Sequence, residues 1–137
     1  MGYAVKISRG VLARLRNEAA AAQPAEICGL LVGRAEEIQE AVASPNLALD
    51  PKRGFELDPC IQLPLQRQSR GEGRKILGHY HSHPSGDVRP SLEDERRAGE
   101  AGALWLIVSG DAAALWVARQ GVAVHGRFDP VKIAESD

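Results

Sequence analysis

Between His79 and Asp94 the chain carries three histidines at alternate positions, then a proline-rich segment, then a carboxylate. Residues two apart in an extended strand point to the same side, so His81 and His83 can offer both imidazoles to one ion. Two neutral imidazoles and a carboxylate suit a catalytic zinc, which takes three protein ligands at ~2.0–2.2 Å and keeps one position open for water. His79 has the same parity. At ~3.3 Å of rise per residue, however, it lies ~13 Å from His83 along the backbone, and both rings reach one ion only if the strand bends sharply. Asp94 has no such difficulty, because residues 84–90 are long enough to fold back and set it in the first turn of a helix. The expected ligands of one zinc ion are therefore His81, His83 and Asp94.

Each residue also has an ordinary explanation. Ser91 followed by Asp94 is a capping-box pair that would start a helix with no further duty. Glu26 lies near a helix end, where a carboxylate is usually a surface charge, and a single histidine is more often structural than a ligand. The joint spacing is what points to a metal. Tyr80, Asp87, Cys28 and His125 are read as structural.

These side chains need rigid elements behind them. Residues 3–7 alternate as a short strand, and Ser8 is an N-cap for a helix to about Ala22 that Gln23 and Pro24 end. The apolar run 27–32 suggests a strand buried on both faces. Residues 37–43 form its partner, followed by a turn at Ser44, Pro45 and Asn46. A short strand is expected at 55–57. A helix at 59–70 follows Asp58 as N-cap, with Pro64 disturbing it. Residues 76–81 are strand-like, 83–90 a loop, and a helix runs from Ser91 to about Ala101. Strands at 103–108, 113–118 and 122–128 follow, joined by turns at Gly110–Asp111 and Gln120–Gly121. A frayed or locally helical tail is expected beyond Asp129. The order predicts an α/β (α+β) layer structure, one domain over residues 1–137, with a central mixed sheet flanked by helices.

Composition narrows the partners. Seventeen Lys and Arg against eighteen Asp and Glu give a net charge of −1, which offers no electrostatic reason for nucleic-acid or anionic-membrane binding. No segment approaches the ~18 apolar residues of a bilayer span, and the N-terminus lacks the pattern of a signal peptide. Cys28 and Cys60 sit in no zinc-type spacing and are expected to stay reduced in a cytoplasmic protein.

The pattern H-x-H-x7-S-x2-D, spelled by His81, His83, Ser91 and Asp94, resembles the signature of the JAMM (MPN-plus, Mov34/PAD-1) zinc metalloproteases. Upstream, Glu26 opens a segment similar to that family's E-x-C-G-L-L-x-G, and with Phe55 to Asp58 the resemblance covers most of the chain. It implies a cytidine-deaminase-like fold and hydrolysis of an amide by activated water. Glu26 would be general base and then acid, and Ser91 would steady the oxyanion on the carbonyl. Burial between Pro24 and an apolar strand could raise the pKa of Glu26 usefully. Family members often carry an aromatic or aliphatic residue at the position of His79, which has no assigned role. The shortness of the chain points to the small prokaryotic members. The implied substrate is a ubiquitin-like or sulfur-carrier protein, cut after its Gly-Gly tail, which could pair with an exposed strand edge beside the zinc. Alternatives are a non-catalytic MPN scaffold and a zinc amidohydrolase of small amides.

Overall fold

Ser8 decides where the first helix starts. In the computed structural model, which describes residues 4–69, 73–98, 102–119 and 128–137, its Oγ accepts from the Val11 amide at 3.0 Å. Strand β1 (Ala4–Ser8) ends there and helix α1 (Arg9–Ala22) begins, burying Leu12, Leu15 and Ala19. Strands β2 (Cys28–Arg34) and β3 (Glu37–Ser44) follow as an antiparallel pair, and every residue of β2 before Arg34 is buried. Helix α2 (Pro59–Ser69) starts where the Asp58 carboxylate accepts from the Cys60 amide at 2.9 Å, and it contains Pro64 without breaking. Strand β4 (Lys75–Ser82), helix α3 (Leu92–Arg97), and strands β5 (Leu104–Val108), β6 (Ala113–Ala118) and β7 (Phe128–Ser136) complete the order.

The mixed sheet runs β1-β3-β2-β4-β5-β6-β7 and closes on itself, because β7 pairs in parallel with β1 over five register positions. Alternation along the strands creates two buried faces. Leu104, Leu106 and Val108 of β5, Leu31 of β2 and Tyr80 of β4 join the α1 residues in the larger core. Trp105 and Cys28 share the second cluster with Phe55, Ala98, Ala118 and Phe128. Two glycines permit this arrangement. A Cβ on Gly29 would strike the Val42 carbonyl and the Tyr80 ring, and one on Gly78 would strike the Leu104 backbone.

Three expectations change. Residues 55–57 form no strand: the Glu56 amide bonds the Asn46 side chain and its carbonyl the Leu47 amide, so this backbone is satisfied within its own loop. The stretch after Asp129 is not a frayed or helical tail. It is strand β7, whose Pro130 and charged residues hid a parallel partner in β1 and an antiparallel one in β6. Helix α3 ends at Arg97, with Ala98 as its C-cap. Residues 122–127 of the strand expected at 122–128, the Gln120–Gly121 turn, His125 and residues 99–101 lie outside the described residues; Phe128 belongs to β7. Among the described residues no helix is long and apolar enough to cross a membrane. Strand β4 has β2 on one side and β5 on the other, so a substrate tail cannot pair with β4 itself.

Candidate metal centre

Strand β4 and helix α3 bring three donor atoms to one point. His81 lies on β4, and His83 just beyond it stays in line because its amide donates to the Val108 carbonyl at 2.9 Å. The two Nε2 atoms are 3.1 Å apart. Asp94 Oδ2 is 3.0 Å from the Nε2 of His83 and 3.3 Å from that of His81. A tetrahedral ion with bonds near 2 Å needs its donors about 3.3 Å from one another, so this set fits a divalent metal without rearrangement. The tautomer fits as well. His83 Nδ1 donates to the Asp87 carbonyl at 2.7 Å, which leaves Nε2 as the free lone pair.

The third donor is held by the start of its own helix. The Asp94 amide donates to Ser91 Oγ at 3.0 Å, and the Ser91 amide donates back to Asp94 Oδ2 at 2.9 Å. The capping box therefore aims the carboxylate at the imidazoles, and both uses of Ser91–Asp94 coexist. Burial alone would raise the Asp94 pKa. Hydrogen bonds to His81 and His83, the charge of His81 and the Ser91 amide outweigh it and hold the carboxyl well below its ordinary range. Burial pushes His81 down, against the pull of Asp94. For His83 burial is overcome by the hydrogen bonds to Asp94 and the Asp87 carbonyl, and its pKa rises. Asp94 and His83 are thus poised toward added positive charge, while the burial of His81 opposes it.

Aromatic packing fixes the buried His81 ring. Phe55 stacks on His81 with centroids 4.3 Å apart and planes 17° from parallel, and the Arg97 guanidinium lies 4.6 Å from the Phe55 centroid. Arg97 also donates to the Phe55 carbonyl at 2.7 Å. His79 does not join the three donors. Its ring packs edge-on against Trp105 at 4.2 Å, and burial, with His81 adding to it, lowers its pKa to about 3.

Glu26 sits where the chain enters β2 and is 8% exposed. Burial raises its carboxyl to about 7; His83 and Arg97 lower it and Asp94 raises it further, which sets Glu26 within electrostatic reach of the cluster. A group with that pKa can take and return a proton at neutral pH. The next residue is clamped to β4: the Ile27 amide donates to Ser82 Oγ at 2.9 Å, and the Ser82 amide to the Ile27 carbonyl at 3.0 Å. Ser91 is exposed, and since its oxygen accepts from Asp94, its hydroxyl proton is free to donate. Cys28 lies across from His81 in the β2–β4 pairing, but burial raises its thiol to about 11 and its Sγ faces the Ser44 and Pro45 carbonyls.

Sequence reading did not single out Asn46, the Phe55 ring, Arg97 or the Asp87 carbonyl. Asp87 acts through a backbone oxygen that any residue supplies, so its type carries no signal. Asn46 reads as a turn residue, and only coordinates reveal its partners.

With this geometry in hand, comparison with known proteins gives a consistent result. Residues 8–120 match the family described as prokaryotic homologues of the JAB domain. The chain is 37% identical to a desampylase of Haloferax volcanii over 103 residues, 74% of this chain and 74% of the relative. It is 32% identical to a probable TtuB-protein conjugate cleaving protease of Thermus thermophilus over 97 residues, 71% of this chain and 65% of the relative. Among solved structures, a JAB1/MPN domain protein from Archaeoglobus fulgidus superposes with a TM-score of 0.60 at 26% identity, covering 97% of this chain and 100% of that one.

Proposed function

The chain belongs to the family of prokaryotic homologues of the JAB domain, and on that basis we propose that it is a zinc metallopeptidase that releases ubiquitin-like or sulfur-carrier proteins from their conjugates. The scissile bond in this reading is the amide that follows the carrier's C-terminal Gly-Gly. The observation that carries it is the convergence of two imidazoles and a carboxylate, with a buried glutamate within electrostatic reach of them. Two relatives named for desampylation and for conjugate cleavage supply the substrate class. Residues 1–137 act as one domain, and the free thiols Cys28 and Cys60 suit a reducing cytoplasm.

His81, His83 and Asp94 would hold the metal. When bound, zinc supplies Lewis acidity, activating a water at neutral pH and polarising the substrate carbonyl. Glu26 removes a proton as the water oxygen bonds to the carbonyl carbon, and delivers it to the amine as the C–N bond breaks. The Ser91 hydroxyl donates to the carbonyl oxygen as charge develops there. Phe55 excludes water from the far side of His81.

The reading is tested by incubating zinc-loaded protein with a panel of ubiquitin-like and sulfur-carrier proteins extended past Gly-Gly, and reading the products by mass spectrometry. Cleavage immediately after Gly-Gly is expected. Turnover of small amides with every conjugate left intact would replace this function with an amidohydrolase. A protein that binds no zinc and cuts nothing would be a scaffold.

A further inference from the structure

We infer that Asn46 is a positioning residue that holds the backbone of Glu26 and the ring packed on His81 in one fixed relation. The inference rests on the proposed roles of Glu26 and His81 and adds a residue to them. An asparagine side chain has two donor hydrogens and two acceptor lone pairs. All four are used. Nδ2 donates to the Glu26 carbonyl and to the Gly54 carbonyl, each at 3.0 Å. Oδ1 accepts from the Ala48 amide and from the Glu56 amide, each at 3.0 Å.

The partners explain the consequence. Gly54 and Glu56 flank Phe55, so the amide grips the backbone on both sides of the ring that stacks on His81. The third partner is the backbone of Glu26, whose own amide donates to the Pro51 carbonyl of the same loop at 2.7 Å. The Leu47 amide bonds the Glu56 carbonyl at 2.9 Å and closes residues 47–56 around the asparagine. One uncharged side chain thus ties the proton-transfer group to the packing of a metal-side imidazole. Since a displacement near 1 Å can cost ~10²-fold in rate, such a tie affects turnover more than substrate binding.

Two variants separate the halves of this network. Asn46→Ala removes all four bonds. Asn46→Asp keeps the acceptor side and loses both donors, freeing Glu26 and Gly54. Each is prepared with zinc for kinetics on a conjugate the wild type cleaves, and with cobalt(II) for its visible absorption spectrum. Both variants are expected to bind one metal ion and to lose ~10–100-fold in kcat with KM within about twofold. The cobalt bands of Asn46→Ala should shift as the His81 ring loosens. Wild-type kcat and an unchanged spectrum in the folded variants would overturn the inference, as would a loss carried by KM. An Asn46→Asp protein that fails to fold also overturns it, because the residue then serves the loop as a whole. If the wild type cleaves no conjugate, the proposed function falls while the cobalt spectra still decide the role of Asn46.

Discussion

Glu26 is a carboxyl group that the fold keeps out of water, and this has a measurable cost. Its pKa of about 7 lies above the unfolded value near 4.3, so the folded state binds the extra proton. Stability from this group is therefore full below about pH 4 and is lost as pH rises through about 7. In metal-free protein, Glu26→Gln removes that loss. Urea melts at pH 8 should show the variant more stable by up to about 3 kcal/mol, with no gain at pH 4. A gain independent of pH would mean that the carboxyl is not desolvated. In zinc-loaded protein the same variant should keep its metal and lose about 10²–10⁴-fold in turnover. Stability and activity are thus expected to move in opposite directions at a single residue.

The β2–β4 pair is the element on which the centre depends, and Gly29 sets how closely it packs. Tyr80 lies directly across from Gly29, and its ring fills the space a side chain would need. Gly29→Ala should cost about 1–3 kcal/mol, a Tm lower by roughly 5–15 °C in a thermal melt. An unchanged melt would show that both the Tyr80 ring and the Val42 carbonyl can move aside. Much of this pair is legible in the sequence. An unbroken apolar run gives a strand buried on both faces, and alternate histidines give two imidazoles on one side. Ser91 and Asp94 also read correctly as a helix start, because capping is a local interaction. What could not be read depends on distant backbone. Asn46 bonds Glu26 and Gly54, twenty and eight positions away, and neither partner contributes a side-chain type that betrays the contact. Likewise 55–57 alternates like a strand but finds no partner strand among the described residues, while β7 looks like a tail yet finds two.

Across the whole molecule, a metal at this point would cross-link β4 to α3, two elements otherwise joined by the loop that holds Pro84 and Pro90. Chelation should therefore lower Tm, and zinc added back in excess should restore it, by about 2.7 kcal/mol at a hundredfold excess over Kd. The double change His81→Ala with His83→Ala should abolish the response; a Tm that still rises with zinc would place the metal elsewhere. The pairing of β1 with β7 has a different consequence. Residues 4–8 meet residues 132–136, so β1 waits for β7 before this edge of it is covered. During synthesis everything from β1 to β7 must leave the ribosome before the barrel can shut, and contacts this far apart in sequence slow folding. Until then β1 presents an open edge to other chains, and the nascent protein's exposure to aggregation is set by how quickly the nine-residue β7 arrives.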